Sequence, residues 1–244
     1  MSSTTRARFS STPLLGVVVA LTIMAAWFAH LAYCLLVQPV AAPLPPLHVA
    51  TLSFLNVGLF ITAHDAMHGS LAPRRRRLNV VFGAVAMFLY GGFLWSRMRA
   101  NHLAHHAAPV SVDDPDYAAD GDERFAPWLL SFVRGYYSWR NFALMHVHVA
   151  AAWAVSGSIV DVLVFFALPA WLSALQLFTF GVYLPHRTPP NGHDHPHRAK
   201  TIDLPEWLSF LTCYHFGCHE EHHDHPSVPW WRLPAVRRAR RAEA

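Results

Sequence analysis

The stretch NVVFGAVAMFLYGGFLW, residues 79–95, decides the fold of this chain. It is 17 residues long and uncharged. As a helix it would measure about 26 Å at 1.5 Å per residue, close to the ~30 Å hydrocarbon core of a bilayer. If it crosses a membrane, everything after it changes sides. Three other apolar runs frame it. Pro13–Val37 holds 25 residues without a charge, Leu47–Ala63 is a second uncharged run, and Asn141–Pro185 extends 45 residues broken only by Asp161. The first two suit one spanning helix each. The third is long enough for two, with a turn at Ser156, Gly157 and Ser158.

The 19 Lys and Arg resolve the question. Arg6 and Arg8 precede the first run, none lies between Phe9 and Pro73, and Arg74 to Arg77 follow the second run. None lies between Asn141 and His186, and Arg187, Arg198, Lys200 and the arginines after Trp231 follow the third. Cations collect on the cytoplasmic side, so both termini and every long loop read as cytoplasmic. A crossing by residues 79–95 would push Arg97, Arg99, Arg124, Arg134 and Arg140 outward. With Gly83, Gly91 and Gly92 within it and WSRMR at its end, the segment reads instead as a helix or broken helix lying in or dipping into the interface. Arg74 to Arg77 read as an anionic-lipid contact, and juxtamembrane cations of this kind argue against a nucleic-acid partner.

The expected fold class is all-α integral membrane. Four transmembrane helices form two hairpins, with interfacial helices and a cytoplasmic histidine-rich cap, in a single domain over residues 1–244. The first run reads as a retained span, because it is too long and lacks a small-residue cleavage site. Cys34, Cys213 and Cys218 give no disulfide framework.

Eighteen histidines are present, and three clusters share helical spacing. HDAMH places His64 and His68 at the end of the second run. HLAHH supplies His102, His105 and His106, and HEEHH supplies His219, His222 and His223. Residues at i, i+3 and i+4 share a helix face, while neighbours diverge by about 100°. An HxxHH element therefore suits a pair of metals better than one ion. His186, in YLPHR at the end of the third run, makes nine on one membrane side. Nine neutral nitrogens suit intermediate divalent metals such as iron or zinc and not calcium or magnesium.

Ligating histidines usually give their other ring nitrogen to a carboxylate or carbonyl. Asp65, Asp114, Asp116, Asp203, Glu220 and Glu221 are candidates, with Asp116 in DPD and Asp65 beside His64 favoured as the catalytic acids. Glu220 and Glu221 read better as a solvated face. Arg99 is expected to pair with an acid or a lipid phosphate. His30 and His48 read as structural, His146 and His148 as buried and hydrogen-bonded, and His193, His195 and His197 as a flexible loop. His215 is a candidate support for the metal ligands, and His225 before Pro226 an end to the helical region. Phe54, Phe60, Phe88, Tyr90, Phe93 and Trp95 are candidates to line a pocket open to lipid.

In HDAMHGSL (64–71), RANHLAHH (99–106), DDPDY (113–117), FGVYLPHR (180–187) and FLTCYHFGCHEEHH (210–223), the chain resembles the membrane fatty-acid desaturase and hydroxylase superfamily. YLPHR and the CYHFG lead-in make it similar, within that group, to the bacterial carotenoid ketolase family. The resemblance covers nearly the whole chain. It implies a diiron site that activates O2, with His64, His68, His102, His105, His106, His186, His219, His222 and His223 as ligands. It implies oxidation of the C4 methylene of a β-ionone ring: β-carotene to echinenone and canthaxanthin, and a 3-hydroxylated ring such as zeaxanthin's towards astaxanthin. The carotenoid would enter from the bilayer of a bacterial inner membrane. Electrons would come from NAD(P)H through a separate ferredoxin or reductase, since the sequence holds no G-x-G-x-x-G fingerprint. Assembly as a homo-oligomer stays open. A carotenoid 3-hydroxylase or an acyl-lipid desaturase or hydroxylase is the alternative, although acyl desaturases usually carry HxxxxH where this chain has HxxxH. A metal carrier is disfavoured, because its ionisable ligands belong at mid-membrane and these clusters sit at the ends of apolar runs.

Overall fold

The computed structural model describes residues 12–38, 40, 44–118 and 120–243, and its elements are all helical, with no strand among the described residues. Arg6 and Arg8, which place the N-terminus on the cytoplasmic side in the reading above, lie outside them. Helix α1 is Pro13–Leu36, opened by Pro13 and by a hydrogen bond from Leu15 N to Thr12 Oγ1. Helix α2 is Pro45–His68, opened by a proline pair and stopped by Gly69, whose φ of 74° is left-handed. The two pack along their lengths. Trp27 Nε1 donates to Asn56 Oδ1 at 2.9 Å, so neither polar group is left unpaired in an apolar layer.

Residues 79–95 do not form one straight helix. Helix α3, Arg76–Gly91, ends at Gly92 (φ 72°), and helix α4, Trp95–Ala107, leaves at a bend of 100°. The glycine pair makes the break, and Trp95 folds back against Gly83 so closely that any side chain there would enter its ring. Asn141 Nδ2 donates to the Gly92 carbonyl at 3.2 Å and fixes the corner. The broken helix expected from the sequence is thus observed. Its bend carries α4 across the end of α2.

Helix α5 (Phe125–Tyr136) is short and amphipathic. Helix α6 (Trp139–Ser156) follows, capped by Ser138, whose Oγ accepts from Asn141 N at 3.3 Å. The expected turn at 156–158 is present: Gly157 has φ 68°, and Ser158 Oγ accepts from Asp161 N at 3.2 Å to open α7. Helix α7, Ile159–His186, runs 28 residues. It contains two wide-turn (π) stretches, Leu163–Ala167 and Phe178–Tyr183. Each has a proline just beyond it, Pro169 and Pro185. A proline cannot donate to the carbonyl four residues back and crowds it. Those carbonyls belong to Phe165 and Gly181, inside the two stretches, so the backbone widens there.

Helices α1, α2 and α7 are long and apolar enough to cross a membrane, and the bent α3–α4 pair would count as a fourth, broken span. Helix α6, expected as the third of the four spans, is not among them: Arg140, Asn141, His146 and His148 dilute its apolar sequence. Beyond α7 come α8 (Glu206–Cys213), α9 (His219–Asp224) and, after a single tight turn, α10 (Leu233–Glu243). Arg237 pairs with Asp203, and Arg240 reaches Glu220 and Asp224 at 2.5 and 3.1 Å, so α10 clamps α9 from outside.

Candidate metal centre

Four segments converge at one end of the bundle. The last turn of α2 brings His64 and His68, α4 brings His102, His105 and His106, the final turn of α7 brings His186, and α9 brings His219, His222 and His223. Helix α9 arrives through a tight reversal in which Tyr214 and His215 both take left-handed backbone (φ 48° and 60°). Such strain costs about 1–3 kcal/mol per residue and persists where its surroundings over-determine it. Here Tyr214 stacks on Phe54 with ring centroids 4.4 Å apart, and Phe216 packs on His64 at 4.7 Å and against Gly181.

The nine histidines form two groups, within each of which one ring nitrogen per residue lies within 4.8 Å of all the others. His64, His68, His102, His106 and His222 make one; His105, His186, His219 and His223 make the other. Each HxxHH element divides between them, as the 100° divergence of neighbouring residues requires. In the first group, Nε2–Nε2 separations are 2.7 Å for His68–His102, 2.9 Å for His106–His222 and 3.1 Å for His64–His222. In the second they are 2.8 Å for His186–His219 and 3.2 Å for both His105–His223 and His219–His223. Ligands at right angles about an ion with bonds of ~2.1 Å would stand about 3 Å apart.

The surroundings fit cations. His64, His105, His186, His219, His222 and His223 are all buried. Burial lowers the proton affinity of His219, His222 and His223, holding His219 down to about 3. Where the rings carry their protons on Nδ1, facing Nε2 lone pairs repel unless a shared positive charge sits between them. The other ring nitrogens are partly tied down. His186 Nδ1 donates to the Arg198 carbonyl at 2.9 Å, and His105 Nδ1 lies 3.0 Å from both oxygens of Asp114.

Asp114 rather than Asp116 is therefore the carboxylate on a ring nitrogen. The loop sets this: Asp114 also accepts from Val110 N and Asp116 N, at 2.8 Å each, and is turned towards α4. Asp116 Oδ2 stands 3.8 Å from His105 Nδ1, and its Oδ1 accepts from the Tyr136 hydroxyl. Burial pushes Asp116 above the usual carboxylate range; His105 and Tyr136 oppose the rise and Asp114 adds to it. Asp65 is close to His64 Nδ1, at 3.5 Å, but accepts from Trp230 N at 3.2 Å, so it also ties the C-terminal segment to α2. Asp203 pairs with Arg237 and Arg241 and does not reach the histidines. Glu221 is buried and accepts from Thr201, which corrects its reading as a solvated face; Glu220 pairs with Arg240. Arg99 donates to the Met67 carbonyl at 3.3 Å, not to an acid.

Beside the centre lies a cavity of ≈ 340 Å³. His102, His105, His219 and Asp116 form its inner wall, and it reaches Met145 and His148 on α6 and Trp171 on α7. Of the six aromatics expected to line it, Phe60, Tyr90 and Phe93 do. Phe54 packs on Tyr214, Phe88 on His148, and Trp95 on Gly83. His146 and His148 each donate Nδ1–H to the carbonyl four residues back, at 2.8 and 2.7 Å. His30 and His48 meet far along the chain from the centre, with ring nitrogens 3.2 Å apart. His195 lies 3.2 Å from Asp224, so the loop expected to be flexible is tied to α9. His215 packs between Phe210 and Trp230 and makes no ring contact with the nine. Tyr136 and Phe216 belong to the site but carry no spacing signal in the sequence.

The fatty acid desaturase family model matches residues 39–146 and 131–244. The chain is 42% identical over 226 residues to a β-carotene ketolase of Paracoccus sp. strain N81106, covering 91% of this chain and 92% of that one. It is 43% identical over 221 residues to the β-carotene ketolase of Paracoccus sp. strain PC1, covering 88% and 89%. A zeaxanthin 4-ketolase of Chlamydomonas reinhardtii is 35% identical over 244 residues, covering 94% of this chain and 54% of its own.

Proposed function

We propose, for a chain that belongs to the fatty acid desaturase family and within it to the β-carotene ketolases, that it converts the C4 methylene of a β-ionone ring to a ketone. The observation that carries this reading is the juncture of two histidine groups with an apolar, aromatic-lined cavity at the buried end of a membrane bundle. An unactivated C–H bond is beyond acid–base side chains and calls for metal–oxygen chemistry.

In this reading His64, His68, His102, His106 and His222 hold one iron and His105, His186, His219 and His223 the other. Two irons so held would supply O2 activation, with electrons from an external ferredoxin or reductase. The chain's own residues do the rest. Asp114 and the Arg198 carbonyl fix the tautomers of His105 and His186, so that each Nε2 presents a lone pair. Phe216, wedged between His64 and Gly181, shields the first group. The cavity's aromatic and aliphatic lining offers an apolar seat for the ring beside the histidines. The protein stands in the bacterial inner membrane with both termini and the metal centre on the cytoplasmic side.

The experiment is pigment analysis of β-carotene-producing cells expressing this protein beside a His222→Ala variant. Echinenone and canthaxanthin that vanish in the variant are the expected result. Hydroxylated products alone would move the chemistry to C3, and altered acyl chains with unchanged pigment would replace the substrate class.

A further inference from the structure

Oxidising one carbon twice poses a retention problem. The first round consumes O2, two electrons and two protons and leaves an alcohol and water. The second consumes the same and leaves a geminal diol, which loses water to become the ketone. An enzyme that releases the alcohol is a hydroxylase, so a ketolase needs a group that favours the alcohol over both the hydrocarbon and the ketone.

Asp116 has that chemistry and that position. It is the one acid among the described residues of the cavity wall, beside His102, His105 and His219. Its backbone is locked, with the carbonyl accepting from Trp128 Nε1 at 2.7 Å and the amide donating to Asp114 Oδ1 at 2.8 Å. Tyr136 occupies Oδ1. Oδ2 receives no hydrogen bond among the described residues: its nearest candidate, His105 Nδ1, is 3.8 Å away and already directed at Asp114. The side chain is 11% exposed, so this oxygen belongs to a surface bordering the cavity. A carboxylate oxygen that opens on a largely apolar cavity without a donor is left short of a partner. A ring methylene offers no donor, a ketone offers only an acceptor, and an alcohol offers O–H.

We propose that Asp116 accepts a hydrogen bond from the hydroxyl that the first oxidation places on C4, holding the alcohol for the second. This rests on the ketolase reading. Tyr136 is the positioning residue, aiming the carboxylate by binding its other oxygen. Once the ketone forms, the donor is gone and the product is released.

The test is the ratio of 4-hydroxy to 4-keto product from β-carotene in membranes supplied with reductase, for wild type, Asp116→Ala and Tyr136→Phe. Loss of a hydrogen bond to a charged group should raise the ratio about tenfold in Asp116→Ala, and by less in Tyr136→Phe. Ketone and alcohol falling together at an unchanged ratio would overturn the proposal. Binding decides the case of an inactive variant. Quenching of tryptophan fluorescence in the solubilised, iron-loaded protein should show 4-hydroxy-β-carotene bound about tenfold tighter than β-carotene in the wild type, and equally in Asp116→Ala. A preference for 3-hydroxylated but not 4-hydroxylated carotenoids would also overturn it. Wild-type membranes that make no ketone would instead sink the ketolase reading.

Discussion

At the scale of single residues, the site was legible where spacing is dictated by the helix and obscure where it is dictated by a turn. All nine histidines of the two groups were picked out by i, i+3 and i+4 periodicity together with their place at the ends of apolar runs. Of the two candidate aspartates that flank Pro115, Asp114 meets a histidine nitrogen and the favoured Asp116 meets the cavity, a division that only the loop's own hydrogen bonds decide. That assignment has a consequence. Asp114→Asn should cost about 10–100-fold in iron affinity at the second group, since it removes the charge that holds His105's proton on Nδ1; iron content during titration with a chelator measures it. Asp203→Asn, paired only with α10 arginines, should leave iron content unchanged. Burial also sets an acid limit. His219 is held to about 3 in the fold against an ordinary 6.5, so the unfolded chain binds the extra protons between these values. Stability contributed by the neutral ring is present above 6.5 and lost as pH falls below it. The melting temperature of the metal-free protein should drop steadily from pH 7 to pH 5, and iron should raise it throughout without flattening that slope, because the folded ring is already unprotonated over this range.

At the scale of elements, helices α1 and α2 could be read to within a few residues, because prolines open both and Gly69 closes the second. The corner between α3 and α4 was foreshadowed by Gly91 and Gly92, but its 100° angle depends on Trp95 meeting Gly83, a contact between residues 12 positions apart that no local pattern encodes. A side chain at Gly83 would force that ring out. Gly83→Val should therefore cost roughly 1–3 kcal/mol, as overpacking does, and should disturb His102, His105 and His106 because α4 pivots on the same corner. Thermal unfolding in detergent reads the first effect, and a loss of bound iron at temperatures where the protein is still folded reads the second. If iron content survived at full occupancy, the corner would be packing alone and not a support of the centre. The π stretches of α7 were likewise unreadable as such, although their cause was visible: Pro169 and Pro185 mark the carbonyls that cannot be satisfied in α-helical register.

At the scale of the whole molecule, the convergence of the histidines constrains the path of the chain more tightly than hydropathy does. His68 ends α2 and His102 lies on α4, with Nε2 atoms 2.7 Å apart, so the α3–α4 excursion returns to the end it left. We predict that the pair makes no net crossing. His105 on α4 and His186 at the end of α7 belong to one group, so the segment between them also goes out and comes back. Helix α7 supplies the return, 28 residues or about 42 Å. The outward leg falls to α6, joined to α7 by the turn at Gly157, even though its histidines keep it from qualifying by composition. At 18 residues it measures about 27 Å, enough to reach the far interface. Four crossings are expected, with opposite exposure for the loop after α4 and the turn between α6 and α7. All three native cysteines are buried, which leaves a quiet background for thiol labelling. In spheroplasts, a membrane-impermeant maleimide should label Ile159→Cys, beside the α6–α7 turn, without permeabilisation. It should label Val112→Cys, fully exposed in the loop after α4, only once the membrane is opened. Labelling of both from outside would mean that α3 and α4 carry the chain across. The two histidine groups would then have to assemble from opposite faces of the bilayer, which nitrogens 2.7–3.2 Å apart do not allow.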